Sequence, residues 1–200
     1  IITKGGSIVN AIPEEVRMES YVRGKTYDAI CKNNRKINQA LTGAALSLGT
    51  NVEIVDIPGY SPLSNDPAMI ELCREAAEMA IPQHPFEFRE NYSTGSTDMG
   101  DLSMIMPTVH PYAGGTCGTF HSNTFAVTDP VVACVDNAKW QLTMLYLLLK
   151  DGASRAKTIL SEFKPQFASK EEFLTFIDNL NASGDRIDYR EDGTASVKIQ

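Results

Sequence analysis

The first part of the chain is organised around a stretch that alternates in character, EEVRMESYVR at residues 14–23. An alternation of period two is typical of a half-buried β-strand. One face of that strand would carry Val16, Met18, Ser20 and Val22. The residues before it, IITKGGSIV at 1–9, predict its hairpin partner, with the connection at residues 10–13.

A helix and another strand follow this hairpin. Thr26 is placed to cap the helix and Gly49 to end it. The apolar residues between them keep helical spacing, at Ile30, Ile37, Leu41, Ala44 and Leu48. Residues 52–57 predict a strand that stops at Pro58-Gly59. The order strand, strand, helix, strand predicts most of a ferredoxin-like unit that lacks its opening strand and helix.

The Pro- and Ser-rich stretch at residues 58–67 is the best domain boundary, so we expect one domain at 1–60 and another at 61–200. A helix is predicted from Pro67, and a loop-rich region at 83–128 with a short buried strand at 103–106. The strongest helix lies between Thr128 and Gly152. Its apolar stripe consists of Val131, Val135, Ala138, Leu142, Leu145 and Leu149.

Two further helices and a hairpin are predicted to complete the chain. The second of these helices opens with the capping box Ser169-x-x-Glu172. The hairpin would turn at Asp192-Gly193.

The stretch GSTDMGDLSMIMPTVHPYAGGTCGTFH, residues 95–121, has the composition of a site rather than of a core. It holds two of the 3 histidines, His110 and His121, among glycines and small polar residues. Backbone of this kind can approach a ligand closely. We therefore expect functional residues in this stretch.

Composition excludes several classes of protein. With 42% hydrophobic residues the chain can build a core, so global disorder is not expected. The net charge of −7, without a block of Lys or Arg, argues against nucleic acid or an anionic membrane as partner. The 4 cysteines form no C-x-x-C pair and predict buried, reduced thiols in a cytoplasmic protein. No signal peptide or membrane span is indicated.

Three stretches together resemble the metal-dependent amidohydrolase branch of the aminoacylase and glutamate carboxypeptidase superfamily. They are ITKGGSIVNAIPEEVRMESYVRG, GSTDMGDLSMIMPTVHPY, and FHSNTF followed by the long apolar helix. These stretches resemble in particular aminobenzoyl-glutamate hydrolases and aminoacylase-like dipeptidases, over the C-terminal half of those proteins, and the resemblance becomes weaker after about Gln166. The resemblance implies an α/β fold: a partial ferredoxin-like lid domain, then the C-terminal part of a mixed-sheet metallopeptidase catalytic domain.

The resemblance also implies an activity and a set of partners. The intact enzyme would hydrolyse an amide bond in a small molecule: an N-acyl amino acid, an aminobenzoyl-glutamate-like compound or a dipeptide. Water activated between two divalent ions, zinc, manganese or cobalt, would attack the carbonyl. The lid would form a homodimer.

Site residues follow from the matching motifs. His121 matches a histidine metal ligand, Asn10 a lid asparagine near the substrate, and Arg23 an arginine that would hold a substrate carboxylate. The loop containing Ser96, Thr97 and Asp98 would line the active site. The remaining metal ligands and the general base of the family match nothing here, so no catalytic residue is assigned. Because the chain opens on Ile1-Ile2-Thr3, already strand-like, we expect a fragment of a longer protein.

Simpler interpretations remain beside these. His121 could be an ordinary loop histidine, or could form half of a structural zinc site with Cys117. Asp98 and Asp101 could be paired carboxylates or turn-forming residues, of which the second is favoured. His110 is expected to be structural, and His84 to lie at the surface. A dimerisation and binding module without enzymatic activity is the alternative function.

Overall fold

The computed structural model describes residues 1–89 and 95–198. Residues 90–94, within the predicted loop-rich region, and 199–200, at the end of the predicted hairpin, lie outside the described residues. Helices and short strands are both present, which confirms the α/β class. The chain divides into two compact units: unit 1 comprises Ile1–Val55 and the chain from Ser183 onward, and unit 2 comprises Asp56–Ala182.

The helices and strands are numbered in chain order. The strands are β1 (Ile2–Lys4), β2 (Arg17–Met18), β3 (Glu53–Asp56), β4 (Thr116–Cys117), β5 (Ala126–Val127), β6 (Ala182–Asp185), β7 (Ile187–Tyr189) and β8 (Ala195–Val197). The helices are α1 (Tyr27–Ser47), α2 (Pro67–Ala80), α3 (Met99–Ser103), α4 (Asn137–Glu162) and α5 (Lys170–Asp178). A π-helical segment, Val131–Asp136, runs directly into α4.

Unit 1 opens with the predicted hairpin, which is shorter than expected. Strands β1 and β2 are antiparallel, with Ile2 opposite Met18 and Lys4 opposite Arg17. The expected half-burial is wrong, because every residue of both strands is exposed. Of the residues expected on the apolar face, Val16, Met18 and Ser20 are exposed and Val22 is half-buried.

Helix α1 follows its sequence signals closely at both ends. The Thr26 side chain accepts a hydrogen bond from the backbone N–H of Ala29 at 3.2 Å, and Gly49 lies just beyond the end with a φ of 66°. The residues of α1 that are buried are Asn38 and Thr42, not the apolar stripe. Unit 1 therefore covers a polar strip of this helix and leaves Ile37 exposed.

The sheet expected for a ferredoxin-like unit is not formed by the described strands. Strand β3 pairs with β6, and each described sheet has two strands. The predicted terminal hairpin is confirmed: β7 and β8 are antiparallel, with Tyr189 opposite Ala195. The lid and catalytic-domain assignments, with their division at residue 60, stay predictions.

The core of unit 2 lies between α2 and α4. Helix α2 begins at Pro67, as predicted, and the Asp66 side chain caps it by accepting from the N–H of Met69 at 3.0 Å. The core residues are Leu72, Cys73, Ala76, Ala77, Ile81, Trp140 and Leu147. The indole N–H of Trp140 donates to the Cys73 carbonyl at 2.7 Å, and burial raises the pKa of the Cys73 thiol to about 11.

Helix α4 is confirmed, but a different face of it is packed. The buried residues are Trp140 and Leu147, whereas the predicted stripe is largely exposed, as at Val131, Leu142 and Leu145. The large indole of Trp140 enters the core beside α2, and this fixes the rotation of the helix. The helix is interrupted at residues 150–153, which agrees with a predicted end at Gly152.

Two other expectations in unit 2 have opposite outcomes. The capping box of α5 is confirmed: Ser169 accepts from the N–H of Glu172 at 3.1 Å, and Glu172 accepts from the N–H of Ala168 at 2.7 Å. The strand predicted at 103–106 is wrong, because Ser103 ends the short helix α3 and Met104 is buried just after it. Apolar runs of this length do not distinguish strand from helix by period alone.

The four cysteines are all free. Cys73 is buried, but Cys117 and Cys134 are exposed, so the expectation of buried thiols is wrong for these two. Among the described residues, none of the helices combines the length and the apolar character needed to cross a membrane. The cytoplasmic location stays a prediction.

Candidate functional site

The loop predicted to line the active site forms a tight turn into α3. The Thr97 hydroxyl donates to the Asp98 carboxylate at 2.9 Å, and the N–H of Gly100 donates to the Thr97 carbonyl at 2.9 Å. Ser96 and Asp98 are exposed, and Thr97 is half-buried. The three side chains therefore lie together at the start of α3, and two of them are at the surface.

Asp101 has a separate, structural role one turn further on. Its carboxylate accepts from the backbone N–H of Ser61 at 2.8 Å and from the Ser61 hydroxyl at 2.5 Å. A β-carbon at Gly100 would overlap the Ser61 carbonyl, so the glycine allows this close approach. Ser61 is fully buried. Asp101 is therefore a loop-fixing residue, as the simpler interpretation favoured.

His121 lies at the tip of a hairpin formed by β4 and β5, in which Thr116 pairs with Val127. Gly118, with a φ of 90°, passes so close to the Thr124 carbonyl that a side chain there would overlap it. His121 is exposed and has a φ of 62°, in the left-handed region that residues other than glycine seldom adopt. Such backbone outliers concentrate at functional positions.

A network of short polar contacts holds this hairpin tip. The Ser122 hydroxyl donates to the Thr119 carbonyl at 2.8 Å and lies 2.6 Å from the Thr124 hydroxyl. The rings of Phe120 and Phe125 are in contact, with centroids 5.0 Å apart. The imidazole of His121 is therefore presented on a well-defined turn.

The described residues do not by themselves make a metal site. Within residues 1–89 and 95–198, no three His, Cys, Asp or Glu side chains are grouped closely enough to hold an ion. A hydrolytic zinc site needs three protein ligands and an open position, and His121 supplies one. The donor set of this part of the chain therefore does not fit a dinuclear centre, and the assignment of His121 as a ligand stays a prediction.

The two predicted site residues of the hairpin region lie in unit 1. Asn10 is exposed in the connection between β1 and β2. The Arg23 guanidinium lies over the ring of Tyr21, 5.4 Å from its centroid. Stacking of this kind holds the plane of a guanidinium while its N–H groups point outward in that plane.

A buried carboxylate that sequence patterns did not reveal lies at the end of the π-helical segment. The Asp136 side chain is only 6% exposed and accepts from Lys139 at 3.1 Å and from Gln83 at 3.2 Å. His84 Nε2 lies 3.2 Å from the same carboxylate, so His84 is tied to the fold rather than simply a surface residue. The hydrogen bond from Lys139, followed by that from His84, holds the pKa of Asp136 below its usual value. The sequence contains one sign of this buried carboxylate, namely that Asp136 is an acidic residue within an apolar run of the predicted helix.

Next to Asp136 lies a cavity of about 340 Å³. Its lining comes from the loop after α3 and from α4: Val109, His110, Pro111, Ala113, Asn137, Trp140, Gln141 and Met144. The sequence singled out His110 but gave no sign that the polar residues of α4 would face it.

Comparison with known proteins finds distant similarity to hydrolases. The chain is 27% identical over 132 residues to the uncharacterized hydrolase y4tI of Sinorhizobium fredii, covering 64% of this chain and 33% of that protein. It is 26% identical over 180 residues to a human Xaa-Arg dipeptidase, covering 86% of this chain and 39% of that protein. The chain thus spans between a third and two fifths of these relatives. No protein-family model and no solved structure matches it.

Proposed function

We propose that this chain contributes to a hydrolase that cleaves an amide bond, in an N-acyl amino acid, an aminobenzoyl-glutamate-like compound or a dipeptide. The observation that carries the proposal is the similarity to a dipeptidase, which extends over 86% of the chain and so includes both units. Because that relative is much longer, the activity is proposed for a whole protein of comparable length.

The hairpin tip is the part of this chain best suited to contact the reacting group. His121 is exposed on a turn held by Ser122 and Thr124, so its imidazole can be reached from solvent without moving the backbone. Within the proposal His121 is a metal ligand, and the metal would supply Lewis-acid chemistry when bound. The other ligands are not among the described residues.

Recognition of the substrate is assigned to three places on the chain. Arg23 would pair with a substrate carboxylate, because a guanidinium offers two parallel N–H donors to a carboxylate. Asn10 would donate its amide to the carbonyl oxygen as negative charge develops there. Ser96, Thr97 and Asp98 would contact the substrate from the surface turn before α3.

The carboxylate assignment of Arg23 has a direct test. Arg23→Ala in the active protein should weaken binding of free-acid substrates by about 1.5–3 kcal/mol, seen as a rise in KM. Esterified substrates are the matched control and should be unaffected. Equal effects on both substrate forms would show that Arg23 does not bind the carboxylate.

A second candidate, a dimerisation and binding module, is favoured by one observation. The chain exposes 14194 Å² of surface. Two separate globular domains of the sizes of units 1 and 2 would together expose only about 11,000 Å². Val9 and Ile12, in the connection of the β1–β2 hairpin, are apolar and fully exposed, and they would form the homodimer contact.

Metal analysis and an assay on the same preparation separate the two candidates. The 200-residue chain alone is expected to be inactive, so the test uses a whole protein that contains it. That protein is expressed, analysed for zinc, manganese and cobalt, and assayed with an Xaa-Arg dipeptide and aminobenzoyl-glutamate in the presence of each ion. Turnover and bound metal that are lost in His121→Ala, but kept in His84→Ala, would support the enzyme. A dimer with neither metal nor turnover would support the module.

The dimer contact is tested by charge insertion. The double change Val9→Lys and Ile12→Lys should convert a dimer to monomer in sedimentation, while Leu142→Lys on the exposed face of α4 should not. A wild-type chain that is monomeric at micromolar concentration would contradict the homodimer.

A further inference from the structure

The cavity beside α4 has walls that are fixed before any ligand arrives. Trp140 forms part of one wall, held by its hydrogen bond to the Cys73 carbonyl and by edge-on contact with Phe86, whose ring centroid is 6.1 Å away. The facing loop is held at His110, whose backbone N–H donates to the Asn65 side chain at 2.9 Å. Fixed walls favour binding because little ordering is needed.

The imidazole of His110 contains a polar atom that requires a partner. Its Nδ1 is buried, and within the described residues no hydrogen-bond partner reaches it. The ring also lies edge-on against Tyr112, with centroids 5.4 Å apart. A buried nitrogen without a partner is unfavourable, which marks the cavity wall at His110 as a strained polar position.

The other polar groups of the lining are two side-chain amides on successive turns of α4. Gln141 Nε2 donates to Asn137 Oδ1 at 3.1 Å. This bond uses one donor and one acceptor, so it leaves the NH₂ of Asn137 and the carbonyl oxygen of Gln141 for other partners. They form a donor and acceptor pair of the kind that complements another amide.

When His110 is neutral, none of the residues that line the cavity carries a formal charge. The nearby Asp136 carboxylate is already engaged by Lys139, Gln83 and His84. The apolar part of the lining includes Trp140, Met144 and Pro111, and a cavity of about 150 Å³ is enough for benzene. The space of about 340 Å³ therefore accommodates a ring with a planar substituent.

We propose that this cavity is a binding site for a neutral small molecule that joins an aromatic or apolar group to a planar amide. The π-helical segment Val131–Asp136 ends where the site begins at Asn137, and such segments often occur at functional sites. The proposal does not rest on hydrolysis or on a metal, because no metal ligand set is part of the cavity.

Trp140 is the only tryptophan of the chain, so the tryptophan fluorescence comes entirely from a residue of the cavity wall. The probes are benzamide, benzoate and benzamidine, which have nearly the same shape and differ in charge. Each is titrated into the metal-free 200-residue chain. Benzamide should change the Trp140 emission with saturation, and should bind at least about tenfold more tightly than benzoate or benzamidine, because the cavity offers no opposite charge to compensate their desolvation.

Two variants locate the binding. Gln141→Leu removes an exposed side chain of the cavity rim, so the fold should persist, and benzamide binding should weaken about fivefold. Leu142→Ala is the matched control on the adjacent, exposed position and should bind benzamide as the wild type does. A saturable emission change whose affinity is lower in Gln141→Leu and unchanged in Leu142→Ala supports the site.

Three results would overturn it. They are no saturable change up to the solubility limit of benzamide, equal binding of all three probes, or equal loss in both variants. A circular dichroism spectrum and a melting curve of each variant show whether a loss of binding is a loss of fold. If Gln141→Leu is unfolded, Met144→Phe, which fills the cavity, replaces it and should abolish benzamide binding.

Discussion

The β1–β2 hairpin and the α2–α4 pair are both specified by regular patterns, yet only one of them builds a core. Between α2 and α4, Leu72, Cys73 and Leu147 are completely buried. In the hairpin, Ile2 and Met18 face each other across the strands and both remain exposed. The sequence patterns of the two regions are similarly regular, but only the α2–α4 pair buries its apolar side chains.

The difference shows that a periodic pattern identifies the apolar face of a helix or strand but does not identify the residues that cover that face. In α2 and α4 the partner is supplied by the same unit, and Trp140 reaches across to bond the Cys73 carbonyl. In the hairpin no such partner is among the described residues, and Lys4 and Arg17 form only exposed ion pairs with Glu15. Apolar side chains that remain exposed in a connected group mark a surface for association.

The largest expected effect separates the packed and open faces of one helix. Leu147→Ala should lower the free energy of unfolding of unit 2 by about 2–5 kcal/mol, since Leu147 is fully buried. Leu145→Ala, on the exposed stripe two residues away, should cost less than about 0.5 kcal/mol. Denaturant unfolding followed by Trp140 fluorescence measures both. Comparable losses would show that the stripe is covered in solution.

A smaller effect distinguishes the two aspartates of the GSTDMGD motif. Asp101→Ala removes the acceptor of two hydrogen bonds from the buried Ser61 and should cost about 1–3 kcal/mol. Asp98→Ala, whose partner Thr97 is beside it at the surface, should stay within about 0.5 kcal/mol. Equal losses in thermal unfolding would place Asp98 in the fold rather than in the site.

The smallest effect concerns the hairpin. The hydrogen bond from Arg17, followed by that from Lys4, lowers the pKa of Glu15 from 4.5 to about 2. Because this pKa is lower in the folded state, the stabilisation is present above pH 4.5 and is lost as the pH falls towards 2. Carboxyl chemical shifts follow the titration. Arg17→Gln should raise the pKa of Glu15 more than Lys4→Gln does, and the reverse order would contradict the assigned cause.

The parts of the fold that sequence predicts correctly are those decided locally. Thr26, Gly49 and Ser169 are placed at helix ends by bonds within a single turn, and the structure confirms each one. The packed face of α4 was not predictable from spacing, because Trp140 determines it through contacts with α2. The pairing of β3 with β6 joins residues far apart in the chain, which no local signal records.

In the candidate site too, features decided by local sequence could be predicted, and features decided by contacts with distant segments could not. Composition singled out the loop that carries His110 and His121, and the structure places them on a cavity wall and on a hairpin tip. Asp136 was missed because its partners His84 and Gln83 lie in another segment. The role of Asp101 could be anticipated, since carboxylates in Gly-rich loops commonly bond backbone N–H groups.

The interruption of α4 also determines where this chain can tolerate added length. Asp151, Gly152 and Ala153 have φ values of 54°, 68° and 60°, so helical geometry is not transmitted across them. One extra residue inserted before Leu147 would rotate everything between it and the break by about 100° and displace the packed face. The same insertion at Gly152 would change no helical register on either side. We therefore expect a short peptide tag inserted at Gly152, which has open space around it, to leave the register of both helical parts unchanged.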